Sequence, residues 1–202
     1  MKTQQKSKTL LLTQLSMLSA VIILMAFTPL GYLRIGPLSI TFLTIPVVLG
    51  AVTLGPVYGA ILGAVFGATS FIQCFGMDAF GTTLFSINPI FTFILCFVPR
   101  ILIGLISGYL LKALEKTSLN QLAAYAISAL SGAVTNTIFF VAFLLLLFGQ
   151  TAYIQSFGPN IFAIIGLLVS VNSVVEAIVC TLIVTALTKT IVMLVKRNKI
   201  LA

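Results

Sequence analysis

Long apolar segments separated by short polar breaks dominate the order of residues along the chain. Most of these segments approach the 20 or so apolar residues that a helix needs to cross the hydrocarbon core of a bilayer. Because backbone groups cannot bond to water in lipid, the helix is the default spanning form. The pattern predicts an all-α membrane protein, a six-transmembrane-helix bundle in one domain over residues 1–202, with helices at about 10–27, 40–54, 56–72, 89–111, 121–148 and 160–195.

Prolines, glycines and capping residues mark the predicted helix ends. Gly55-Pro56 separates the second helix from the third, and Asn88-Pro89 has the pattern of an N-cap followed by proline at the first helical position. Pro99 lies inside the fourth helix and predicts a kink there. Loops are expected over residues 28–39, 73–87, 112–120 and 149–159.

Charge is scarce and concentrated at particular places. Only 7% of the residues are charged and 60% are hydrophobic, whereas a soluble domain carries about 25% charged residues. Eleven Lys and Arg outnumber three Asp and Glu, but most of these cations lie near the two termini and in the break at 112–120. The positive-inside rule then predicts that both termini are cytoplasmic, and no nucleic-acid partner is expected.

Four polar residues lie at similar depth in the predicted helices. Arg100, Asn136, Asn172 and Glu176 are roughly 18–24 Å from the predicted outer helix ends, given the rise per helical residue. A charge at that depth raises the free energy of the folded protein unless it faces an oppositely charged or polar partner or a water-filled cavity. Two explanations stay open: a structural Arg100–Glu176 pair that locks two helices, or a polar pocket in which Arg100 holds an anionic substrate.

Further polar side chains lie closer to the predicted outer helix ends. Gln73, Asn88 and Tyr32 extend the candidate binding site, although Asn88 has the competing role of a helix cap. The segment 28–39 is the best candidate for a lid over a bound ligand.

Small residues recur at four-residue spacing, which lets helices approach closely. In the third and fourth helices this spacing predicts packing inside the bundle, at Gly55, Gly59, Gly63, Gly67, Gly104 and Gly108. In the first helix Ser16 and Ala20 have the same spacing. That pair fits either internal packing or a docking surface for another membrane subunit.

Several kinds of chemistry find no support in the sequence. There is no histidine, and the three cysteines, Cys74, Cys96 and Cys180, are too far apart in sequence for a metal motif. The sequence contains no phosphate-binding G-x-x-x-x-G-K-[ST] segment. It also lacks the hydrolase motifs G-x-S-x-G and H-E-x-x-H. We therefore expect no metal site and no enzyme activity. A small ion-coupled transporter with Glu176 as proton carrier and a membrane scaffold remain as alternatives.

The segment from Arg34 to Gly63 contains the turn Leu54-Gly55-Pro56 before a helix rich in small residues, and it resembles the S components of energy-coupling-factor (ECF) transporters. The resemblance implies a multi-pass subunit of a bacterial-type cell membrane that binds a vitamin from outside. It also implies docking, through Ser16 and Ala20, on a transmembrane T component that is carried by two ABC-type ATPases. ATP is then used by those partners, and this chain needs no cofactor.

Within that family, Pro99-Arg100 and Asn136 make the chain most similar to the pantothenate-specific branch. The resemblance implies that Arg100 binds the carboxylate of the vitamin through two parallel N–H groups of its planar guanidinium. Asn136, Asn172 and Gln73 would then bind its amide and hydroxyl groups. Folate and cobalamin remain open as alternative substrates.

Overall fold

The computed structural model describes residues 2–35, 38–158, 160–169 and 171–200, most of which are helical. In chain order the elements are α1 (Lys2–Ala26), a 3-10 turn (Pro29–Gly31), β1 (Tyr32–Ile35), β2 (Leu38–Thr41), α2 (Thr44–Leu54), α3 (Pro56–Gln73), α4 (Ala79–Ile87), α5 (Pro89–Leu114), α6 (Gln121–Phe148), α7 (Ala152–Gln155), α8 (Ile161–Leu168) and α9 (Val171–Ile200).

Five of the described helices contain a stretch that is long and apolar enough to cross a membrane, at Lys8–Ala26, Pro56–Gln73, Pro89–Leu114, Gln121–Phe148 and Ser173–Leu194. The predicted second span corresponds to α2, which has only 11 residues. Most of α2 is buried among the neighbouring helices, and a helix that is apolar on all sides is a buried helix. Its composition therefore reflects burial in the bundle, and the count of six spans and the side of the termini stay predictions.

The capping and proline signals located several helix starts correctly. Helices α3, α5 and α6 begin at the predicted residues, Pro56, Pro89 and Gln121, and α6 also ends at the predicted Phe148. In α5 the Asn88 Oδ1 atom accepts hydrogen bonds from the backbone N–H groups of the first turn, at 3.0 and 3.1 Å. Short-range chemistry alone fixes these boundaries.

The segment predicted as a loop over residues 28–39 contains a β-hairpin instead. Strands β1 and β2 pair antiparallel, with Tyr32 opposite Thr41 and Ile35 opposite Leu38. The second helix therefore begins at Thr44, four residues later than the predicted start at residue 40. The hairpin lies directly between α1 and α2 in the chain, so it connects an exposed helix to the buried one.

Two other predicted loops contain short helices. Helix α4 begins after Asp78, whose Oδ2 atom accepts a 2.7 Å hydrogen bond from Gly81 N, and α7 follows the cap Thr151. The last predicted helix, 160–195, is divided into α8 and α9. Its sequence is apolar on both sides of the break, so hydropathy gives no sign of the interruption.

The glycines at 59, 63 and 67 bring α3 against α5, as their spacing predicts, whereas Gly55 lies in the turn before α3 with φ +111°, and an added Cβ atom there would meet nothing within 4 Å. An added Cβ atom at Gly63 would overlap the carbonyl oxygen of Arg100, and one at Gly104 would overlap the backbone of Gly59. One turn further, a Cβ atom at Gly67 would lie 2.9 Å from the carbonyl oxygen of Cys96. This close contact positions the backbone of α5 at Arg100.

Candidate functional site

A cavity of about 670 Å³ lies inside the helical bundle. One end is bordered by the C-terminal end of α1 and the connection between α3 and α4, and its walls come from α3, α4, α5, α6 and α9. Its volume is in the range of small-molecule sites, about 300–1,000 Å³. Of the residues predicted to bind substrate, the described lining includes Tyr32, Gln73, Arg100, Asn136 and Glu176.

The guanidinium of Arg100 bonds to a backbone carbonyl oxygen of its own helix that lacks the usual helical donor. Pro99 has no N–H, so the carbonyl oxygen of Leu95, four residues earlier, lacks its usual helical donor. Arg100 Nη1 donates a 2.8 Å hydrogen bond to that oxygen. The proline thus supplies the acceptor that fixes the arginine side chain.

Aromatic rings flank the same guanidinium. Its carbon lies 5.3 Å from the centre of the Phe66 ring and 5.1 Å from that of Phe140, within the range of cation–π contacts. Arg100 Nε is buried and has no hydrogen-bond partner among the residues that the structure describes. The cation is therefore fixed in the cavity wall with unused donor capacity.

Glu176 bonds to neutral partners. Its Oε1 atom accepts 2.8 Å hydrogen bonds from Thr44 Oγ1 and from Asn136 Nδ2. The contacts of the described residues include no ion pair between Glu176 and Arg100, so they give no support to the predicted structural lock. The carboxylate instead joins α2, α6 and α9 at one point.

Only one of the two polar atoms of the Asn136 side-chain amide has a hydrogen-bond partner among the described residues. While Nδ2 donates to Glu176, Oδ1 is buried and lacks a partner within the described part of the chain. Buried polar atoms are nearly always hydrogen-bonded, so an orphaned acceptor requires an explanation. Together with Arg100 Nε, Asn136 leaves one donor and one acceptor unsatisfied in residues that line the same cavity.

Tyr32 and Gln73 connect the hairpin to two helices. Tyr32 Oη donates a 2.8 Å hydrogen bond to Gln73 Oε1, and Gln73 Nε2 donates to the carbonyl oxygen of Ala26. Burial raises the pKa of the Tyr32 phenol above its ordinary value, and the nearby Arg100 charge opposes this only in part. The hydroxyl therefore keeps its proton at neutral pH and remains a donor.

The remaining predicted residues have other positions. Asn88 caps α5 and is not among the described cavity-lining residues, so its binding role gains no support from the lining and stays a prediction. Asn172 belongs to α9, but its side chain lies outside the described residues. Ser16 and Ala20 are exposed on α1, so they do not serve internal packing in the described bundle.

Sequence reasoning missed several residues of the cavity wall. Phe66 and Phe140 are two of 16 phenylalanines in an apolar chain, and nothing distinguishes them in sequence. Thr44, which donates to Glu176 but is not among the lining residues, was also missed, and its signal was a hydroxyl inside an apolar segment. Cys74 and Cys96, interpreted as small packing residues, both line the cavity.

Known proteins are similar in sequence to this chain over most of its length. The model of the family described as "ECF transporter, substrate-specific component" matches residues 10–188. The chain is also 29% identical over 160 residues to the pantothenic acid transporter PanT of Lactococcus lactis subsp. cremoris. That alignment covers 75% of this chain and 76% of the relative.

Proposed function

This chain belongs to the family of substrate-specific components of ECF transporters, and from that premise we propose that it binds pantothenate for import. It is a protein of the cell membrane and a transporter component rather than an enzyme. The similarity to a pantothenic acid transporter over three quarters of the chain supports pantothenate as the substrate.

The observation that carries the proposal is the state of Arg100. Arg100 lines a cavity of about 670 Å³, makes no ion pair among the described residues, and donates from Nη1 to the carbonyl oxygen of Leu95. Pantothenate has one carboxylate, and hydrogen bonds between charged partners are roughly twice as strong as those between neutral ones. We assign the carboxylate of the vitamin to Arg100.

Polar groups of the cavity other than Arg100 suit the rest of the vitamin. Pantothenate also has one amide and two hydroxyl groups. Asn136 and the Glu176 carboxylate both line this cavity, and each carries acceptor oxygens for an amide N–H or a hydroxyl. We assign the amide and hydroxyl groups to this side of the cavity, with Asn172 of α9 as a further candidate.

The family premise also supports partner subunits. In our proposal the chain docks on a transmembrane T component that is carried by two ABC-type ATPases, and these partners hydrolyse ATP. The exposed Ser16 and Ala20 on α1 are the proposed contact. The proposed orientation places both termini in the cytoplasm and the hairpin outside.

The test is direct binding by the purified chain. Native mass spectrometry of protein purified without added ligand, followed by calorimetric titration with pantothenate, folate and cobalamin, compares the candidate vitamins. We expect saturable binding of pantothenate alone. Tight binding of folate or cobalamin with no response to pantothenate would reassign the substrate, and a failure to bind any of the three would contradict the proposal.

A further inference from the structure

Two cysteine side chains meet in the wall of the cavity. Cys74 follows the last residue of α3, Cys96 lies in α5, and their Sγ atoms are 3.9 Å apart. Both are free cysteines, both are buried, and both line the cavity. Both cysteines therefore border the space that a small molecule would occupy in the cavity.

The surroundings fix both sulfur atoms near other cavity residues. The Cys74 thiol donates to the carbonyl oxygen of Ser70 at 3.3 Å, and an added Cβ atom at Gly81 would lie 2.7 Å from its sulfur. Cys96 precedes Arg100 by four residues in α5, so the two share one helix face. The Cα atoms of Cys96 and Arg100 are thus about one helical turn apart along α5.

We propose that Cys74 and Cys96 form a dithiol modification site, at which a small uncharged organic disulfide closes an intramolecular disulfide between α3 and α5. One cysteine thiolate attacks a sulfur of the reagent, forms a mixed disulfide and expels one reagent thiolate. The other cysteine thiolate attacks the protein sulfur of that mixed disulfide and expels the second. The two leaving groups take up the two protons of the cysteines, so the protein loses two electrons and the reagent gains them.

Closing the bond changes the cavity wall. The sulfur atoms move from 3.9 Å apart to about 2.05 Å in a disulfide. Cys74 is adjacent to Gln73, which holds both Tyr32 of the hairpin and the end of α1. A cross-link at Cys74 would therefore constrain the backbone next to the residue that anchors the hairpin.

The test uses bis(2-hydroxyethyl) disulfide on the purified full chain, with intact mass and peptide mapping as readouts. Wild type should lose two hydrogen atoms and yield a Cys74–Cys96 cross-linked peptide. The variants Cys74→Ser and Cys96→Ser should each retain one stable mercaptoethanol adduct on the remaining cavity cysteine, because no second thiol resolves it. The control Cys180→Ser, which removes a buried cysteine outside the described cavity lining, should behave as wild type. Wild type that keeps its adduct, or that does not react, would overturn the dithiol site.

A second measurement relates the site to the substrate and rests on the proposed function. With pantothenate at about ten times its Kd, the fraction of empty sites, and hence the oxidation rate, should fall about tenfold. If the cross-link forms at the same rate with and without the vitamin, the assignment of pantothenate to this cavity is wrong, whereas the proposed function itself fails only if the purified chain binds no pantothenate. The dithiol site itself is decided by the mass measurement.

Discussion

At the scale of single residues, Arg100 should determine the affinity for an anionic substrate. Hydrogen bonds to charged groups contribute about 1.5–3 kcal/mol, so Arg100→Ala should weaken pantothenate binding at least tenfold, or about 1.4 kcal/mol. Arg100→Lys should restore little of the lost affinity, because an ammonium group does not reproduce the two parallel hydrogen bonds of a planar guanidinium. Calorimetric titration measures both, with Lys112→Ala at the exposed end of α5 as control. Unchanged affinity in Arg100→Ala would refute the assignment.

Glu176 provides the test between a binding site and a helix lock. Glu176→Ala leaves Thr44 Oγ1 and Asn136 Nδ2 without their buried acceptor, and an unsatisfied buried group costs about 1–3 kcal/mol. Thermal unfolding should therefore shift to lower temperature. Since no Arg100–Glu176 ion pair is present among the described contacts, the double variant Arg100→Ala/Glu176→Ala should be no better than either single variant in stability or binding. Recovery of both in the double variant would restore the lock hypothesis.

Individual residues were predictable where their chemistry contrasts with the apolar background. Arg100, Asn136 and Glu176 stand out in apolar helices, and the structure places all three around one cavity. Which atoms bond to which was not predictable, because it depends on how α2 and α9 meet. Asn88 shows the opposite case: a cap and a binding amide look the same in sequence, and only the cap is found here.

At the scale of elements, the contact between α3 and α5 should control the site. Gly63→Ala places a methyl group against the carbonyl oxygen of Arg100, and overpacking of this kind costs about 1–3 kcal/mol. Both the melting temperature and the pantothenate affinity should fall. The matched control is Gly166→Ala in α8, where an added Cβ atom meets nothing within 4 Å. Equal behaviour of the two variants would show that the close approach is unimportant.

The hairpin should act on the rate of substrate release. Tyr32→Phe removes the 2.8 Å bond to Gln73, a neutral hydrogen bond of about 0.5–1.5 kcal/mol. If the hairpin covers the cavity, radiolabelled pantothenate should dissociate about two- to tenfold faster. Tyr153→Phe, whose ring packs against Phe80 and Phe157, is the control. A release rate equal to that of wild type would exclude a lid function for this contact.

Elements were predictable to the extent that local signals define them. The prolines that begin α3 and α5 and the Asn88 cap depend only on neighbouring residues, so the starts of these two helices were correct. The hairpin was missed because its strands have four residues each and lie in a segment rich in proline and glycine. Helix α2 resembles a span in hydropathy because lipid and a protein interior favour the same side chains.

At the scale of the whole molecule, charge placement predicts the orientation in the membrane. The basic residues near the C-terminus should lie in the cytoplasm. A cysteine introduced at Lys199 should therefore react with an impermeant maleimide only after the membrane is opened. Labelling of intact cells would reverse the topology and place the hairpin on the wrong side for a lid.

The proposed docking on partner subunits is separable from substrate binding by the isolated chain. Ser16 and Ala20 lie four residues apart on the exposed side of α1, away from the cavity lining. Replacing both with Leu should remove a close helix–helix approach and abolish uptake in cells, while pantothenate binding to the purified chain stays unchanged. Ala142→Leu, an equally exposed small-to-large change on α6, should leave uptake intact, because lipid accommodates a larger apolar side chain. Uptake that survives the double change would contradict docking through α1, whereas loss of binding would show that the change had reached the cavity through the bundle.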